Sequence, residues 1–98
     1  MSDLTVAKTI LYQLTAKALF MYGARNVVGS ENSLTFRLGR NAINCNCIRI
    51  TLNSLDLYDI EYLAIRGVTV KEKASSNGVY ADQLNDVISS VTGLAYHL

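Results

Sequence analysis

Proline is missing from this 98-residue chain, histidine occurs once and cysteine twice. Without proline, every turn falls to Gly, Asn, Asp and Ser. The single histidine is the penultimate His97, read as a solvated terminal residue, so no histidine-centred catalytic pair is expected. Cys45 and Cys47 are one residue apart. On a strand they share a face and make poor partners, so no disulfide framework is expected and the setting is read as a reducing cytoplasm. No CxxC or second ligand pair completes tetrahedral coordination, so no metal and no cofactor is expected. Both thiols read as small buried or half-buried groups at a strand start; a four-cysteine site shared by a dimer is the one metal arrangement the spacing leaves open.

An excess of one charge is missing too. Nine basic side chains face eight acidic ones, a formal net charge of +1, so no strong global field draws the chain to nucleic acid or to an anionic membrane. A local basic patch is all that this balance permits. With half the residues apolar and 17% charged, a disordered chain is excluded, and 98 residues bury enough surface for a single domain, 1–98. No phosphate loop of glycine and lysine occurs; Gly23-Ala24-Arg25-Asn26 and Gly39-Arg40-Asn41 are turns with a basic residue. The apolar N-terminal stretch LTVAKTILYQLTAKALFMYGA is interrupted by Lys8, Gln13 and Lys17, short of the roughly 20 apolar residues a bilayer span needs. Asp3 stands where a leader would carry basic residues, so the expectation is a soluble protein with no membrane contact.

What is present is a sheet. Ile48, Ile50 and Leu52 alternate with Arg49 and Thr51, and Tyr58, Ile60 and Tyr62 alternate with Asp59 and Glu61, two runs with the period of half-buried strands. Matching their dry faces makes a hairpin. Leu52 opposite Tyr58 leaves Asn53 to Leu57 as a five-residue loop and sets Arg49 opposite Glu61; a two-residue slip sets Arg49 opposite Asp59. Leu34, Phe36 and Leu38 form a further strand, Leu19 to Tyr22 reads as a short strand with continued helix as the alternative, and Asn26 to Asn32 is loop chemistry. Gly39 to Asn46 reads as a connection, and Arg66-Gly67 as a turn into a strand carrying Val68 and Val70.

Helices flank these strands. Leu4, Val6, Ala7, Ile10, Leu11 and Leu14 make an amphipathic first helix, with Ser2 or Asp3 as its cap. Ser75, Ser76 or Asn77 caps a second, whose apolar stripe is Tyr80, Leu84, Val87, Ile88 and Val91, with Gly93 ending it in the left-handed conformation. The expected fold is α+β: two layers, an antiparallel meander of about five strands, and the N- and C-terminal helices packed on one face.

One stretch resists a single dry face. Pairing Ile65 with Val68 puts Leu63, Ile65, Val68 and Val70 on the side of Asp59 and Glu61, opposite Ile60 and Tyr62. Either a bulge near Leu63, within the strand Tyr58 to Arg66, flips the chain, or this corner is apolar on both sides and meets a partner.

Several segments carry a resemblance: Gly23-Ala24-Arg25-Asn26, Asn32-Ser33-Leu34-Thr35-Phe36-Arg37, Ile50-Thr51-Leu52-Asn53 with Asp56-Leu57-Tyr58-Asp59, Ile65-Arg66-Gly67, Asn77 to Leu84, and Val91-Thr92-Gly93-Leu94. Together they resemble a group of short, uncharacterised proteins carried by phages, prophages and plasmids. The resemblance brings no catalytic residues and implies a genetic context, in which small proteins often bind and block a host component. The leading expectation is a cytoplasmic, non-enzymatic binding protein, homodimeric, in stable contact with a host or defence protein through Leu63, Ile65, Val68 and Val70. One alternative is nucleic-acid binding on the sheet face by Arg37 and Arg49, with Arg25, Arg40, Lys71 or Lys73 in support; Phe36, Tyr58, Tyr62 and Tyr80 read as core and not as stacking platforms. A structural protein of a virion is the other.

Overall fold

The computed structural model describes residues 4–94. The expected caps Ser2 and Asp3, and His97, lie outside them. Two helices, α1 (Thr5–Leu14) and α2 (Ala16–Met21), precede five strands, β1 (Arg25–Gly29), β2 (Ser33–Arg37), β3 (Cys47–Leu52), β4 (Tyr58–Arg66) and β5 (Thr69–Val79); a 3-10 turn, Ala81–Gln83, then leads into α3 (Leu84–Thr92). The strands form one antiparallel sheet in the order β1-β2-β3-β4-β5. Ala7, Ile10 and Leu14 of α1, Ala18 of α2 and Leu84 and Ile88 of α3 bury themselves against Leu34, Phe36, Ile48, Ile50, Tyr58, Ile60 and Tyr62. All three helices therefore cover one face, and no described element covers the other.

The central hairpin follows its sequence pattern. Leu52 pairs with Tyr58, the loop is Asn53 to Leu57, and Arg49 stands opposite Glu61 in a two-pronged ion pair at 2.9 and 3.0 Å. Asn53 builds the loop by accepting from the backbone N–H groups of Leu55 and Leu57 at 2.8 and 3.2 Å. Gly93 ends α3 at φ 75° and its N–H donates to the Ser89 carbonyl.

Five readings need correction. Leu19 to Tyr22 is not a strand: the helix resumes after a break at Thr15, whose hydroxyl accepts from the Ala18 N–H at 3.3 Å. A short apolar run cannot be assigned to helix or strand by periodicity alone. The segment Asn26 to Asn32 is mostly strand β1, with an irregularity between Arg25 and Val28 where Asn26 sits at φ 53°. An edge strand open to solvent shows no apolar alternation, and asparagine tolerates the left-handed conformation. Ser75 to Asn77 continue β5 and do not cap a helix, and Tyr80 is 59% exposed, not core. The two cysteines do not share a face: Cys45 precedes β3 and joins the helix-side core, whereas Cys47 pairs with Arg37 and Leu63 on the open face.

The hairpin of β4 and β5 resolves the remaining conflict. Arg66 pairs with Thr69 and Ile65 with Val70, leaving Gly67 and Val68 as a two-residue turn with Gly67 at φ 60°. The irregularity near Leu63 is present, but the extra residue, Lys73, belongs to β5. Alternation along β4 is therefore unbroken, and Leu63 and Ile65 stay on the open face. Neither sequence alternative describes the tip, because its helix-side face turns polar: Arg66 and Thr69 stand where a second apolar surface was expected.

Candidate nucleic-acid interface

That polar tip belongs to one end of the sheet, where β2 and β4 finish and β3 and β5 begin. The connection between β2 and β3 is assembled there by two asparagines. The Asn41 amide donates to the carbonyls of Gly39 and Cys45 at 3.0 and 2.6 Å and accepts from the Cys45 N–H at 3.2 Å, which closes the loop on itself. The Asn46 side chain substitutes for a peptide unit. It donates to the Ile65 carbonyl and accepts from the Ile65 N–H, both at 2.8 Å, continuing the β3 ladder past the point where β3 begins. The loop is also moored to the helices: the Gly39 N–H donates to the Tyr22 carbonyl at 3.0 Å and the Ala42 N–H to the Thr92 carbonyl at 2.8 Å.

Two adjoining cavities open on this scaffold. One, of about 310 Å³, is lined by Asn44, Ala64, Arg66, Thr69, Lys71 and Lys73. The other, of about 290 Å³, shares Asn44 and Arg66 and adds Arg25 and Arg40. Five of the chain's nine basic residues thus converge on one end, and among the described residues no acid lines either cavity. Arg25, Arg40, Arg66, Lys71 and Lys73 are all exposed and form no ion pair with a described residue. The neighbouring acid, Glu72, pairs with Leu63 and so belongs to the opposite face.

The acids collect elsewhere. Glu31 lies at the β1–β2 turn and Asp56 and Asp59 at the β3–β4 loop, where Asp59 accepts from the Asn53 amide at 3.2 Å and the Gly78 N–H at 3.1 Å. The sheet therefore has a basic end and an acidic end, a dipolar arrangement that the near-zero net charge conceals.

The residues singled out from sequence fall on the open face or at the tip. Leu63 is only 7% exposed, Ile65 is half-buried, Val70 is 59% exposed and Val68 is fully exposed in the turn. Arg37 and Arg49 are also on the open face, beside the Cys47 thiol; Arg49 is already engaged by Glu61, which raises its pKa by hydrogen bonding. Neither arginine lines the cavities. Burial pushes both thiols up from the usual cysteine value, and so disfavours the reactive thiolate. Among the described residues no three His, Cys, Asp or Glu side chains gather as metal ligands, and no helix is long and apolar enough to cross a membrane.

Arg25, Arg40, Lys71 and Lys73 carried a basic signal in the sequence, but Arg66, Asn44 and Thr69 were missed. For Arg66 the signal was parity: it is in phase with Tyr58, Ile60 and Tyr62, so unbroken alternation puts it on the helix side. No protein-family model, curated protein or solved structure matches this chain.

Proposed function

We propose that this protein is a non-enzymatic binding protein whose basic sheet end grips the phosphate backbone of a nucleic acid. The observation that carries this reading is the convergence of Arg25, Arg40, Arg66, Lys71 and Lys73 on two adjoining cavities, with no acid among the described lining residues and no ion pair to a described residue to neutralise them. Cations held together against their mutual repulsion, when acids are plentiful elsewhere in the chain, favour an external anion as partner. Among the described residues no aromatic side chain lines either cavity and no helix stands there to enter a groove, which favours contact to phosphate over readout of bases.

Fluorescence anisotropy with labelled oligonucleotides tests this. Affinity falls with salt with a log–log slope of at most about −3.5 for single strands or −4.5 for duplex if all five cations engage, and it is insensitive to sequence. Absence of binding at low salt, or an affinity indifferent to salt, contradicts the proposal.

A second reading is contact with a host or defence protein through the tip. The exposure of Val68 and Val70 favours it. Capture of one stoichiometric protein that survives nuclease treatment and is lost on Val68→Asp supports this reading over the first.

A further inference from the structure

The face of the sheet that no described element covers carries a charge pattern with its own symmetry. Strand pairing aligns Arg37, Cys47, Leu63 and Glu72 in one row across β2, β3, β4 and β5, and Thr35, Arg49, Glu61 and Ser75 in the next. Residues directly opposite on neighbouring strands share a face, so each row lies on the open side, with Cys47 and Leu63 buried and the charged groups reaching solvent. Read across, the first row is cation, two apolar groups, anion. The second is hydroxyl, cation, anion, hydroxyl.

Both rows become self-complementary under one operation. A twofold axis lying in the plane of the face, parallel to the strands and midway between β3 and β4, turns each row end for end and lays it on itself. Arg37 then meets Glu72 of a second copy, the buried Leu63 and Cys47 lie between these pairs, and the Arg49–Glu61 pairs stack with opposite charges in register. We infer that this face is an isologous dimer interface and that its occupant is a second copy of the chain.

The dimensions fit. β2 and β5 are three strand spacings apart, about 14 Å, and facing sheets pack about 10 Å apart. Aligned sheets cross at about 30°, which displaces the outer strands by roughly 4 Å, within reach of Arg and Glu side chains. Arg37 and Glu72 have no ion pair within the described chain, so each is available to the other copy. The edge of β5 is a poorer route to self-association, since Lys71, Lys73 and two irregularities in its pairing oppose the addition of another strand. A four-strand face is at the small end of specific interfaces, so the dimer forms at micromolar concentrations.

Because the axis runs along the strands, both copies present their basic ends on the same side. That consequence rests on the nucleic-acid reading, whereas the pairing itself does not.

Sedimentation equilibrium without nucleic acid, from about 5 to 500 μM, separates the two. The wild type is expected to dimerise. Arg37→Glu and Glu72→Arg each set like charges together twice per dimer and weaken association at least about tenfold. Mixing these two variants places two acids of one copy against two bases of the other at the same positions and restores dimerisation as a heterodimer. A wild type that stays monomeric, single variants that dimerise like the wild type, or a mixture no better than its components overturns the inference. Circular dichroism of each variant confirms the fold, and a variant that does not fold leaves the wild-type measurement decisive.

Discussion

The two ends of this sheet use their polar residues differently. At the end formed by the β3–β4 loop, Asn53 and Asp59 are consumed by the fold: they hold Leu55, Leu57, Gly78 and each other. At the other end the asparagines Asn41 and Asn46 do equivalent work, but the five cations around them hold nothing within the described chain. Hydrogen-bonded polar groups stabilise a protein, and unpaired clustered cations do not. The difference separates structure from function: substitutions at the first end should alter stability and leave binding alone, and substitutions of the cations at the second should do the reverse.

The largest expected effect is on binding. Lys71→Glu combined with Lys73→Glu lowers oligonucleotide affinity by about a hundredfold at low salt. The melting temperature stays unchanged or rises slightly as repulsion with Arg66 is relieved; a lowered melting temperature shows that these lysines also serve the fold. Next is Asn46→Ala, which leaves the Ile65 N–H and carbonyl without their partner and costs about 2 kcal/mol, a fall in Tm of roughly 10 °C by thermal unfolding. Asn53→Ala costs less, about 1 kcal/mol, because its loop is exposed to water, and oligonucleotide affinity is unaffected.

How much of this was legible in the sequence depended on whether a residue had to be buried. Ile48, Ile50, Tyr58, Ile60 and Tyr62 specify their own register, since a one-residue slip would bury Arg49 and Glu61. Exposed β1 and the far half of β5, KASSNG, carry no such constraint, and their irregular pairing hides what period remains. The basic site was the least legible part. Its members come from the start of β1, the β2–β3 loop and the β4–β5 hairpin; Arg25 and Lys73 are 48 residues apart in the chain, and only the meander brings them together. Arg66 had also been absorbed into a turn signal, where its phase along β4 went unused.

The smallest effects concern titration and the surface ion pair. Cys45, Cys47, Tyr58 and Tyr62 all have pKa values raised by burial, so the folded state holds their protons more tightly than the unfolded state does. Their contribution is fully present below the unfolded thiol value of 9.0 and declines as pH rises past it, so Tm is flat from neutral pH to about 8.5 and falls above 9. A Tm that rises across this interval contradicts the burial assigned to these groups. Arg49→Ala removes a partly exposed ion pair and changes stability by under about 1 kcal/mol in chemical denaturation. It leaves nucleic-acid affinity intact, whereas Arg66→Ala does not.

The most direct test of the basic end is amide chemical-shift mapping as a short single-stranded oligonucleotide is titrated into labelled protein at low salt. Shifts confined to the neighbourhood of Arg25, the β2–β3 loop and Ala64 to Lys73 are the predicted result. Shifts centred on Thr35, Arg49 and Glu61 of the open face, or on Asp56 at the acidic end, would contradict it.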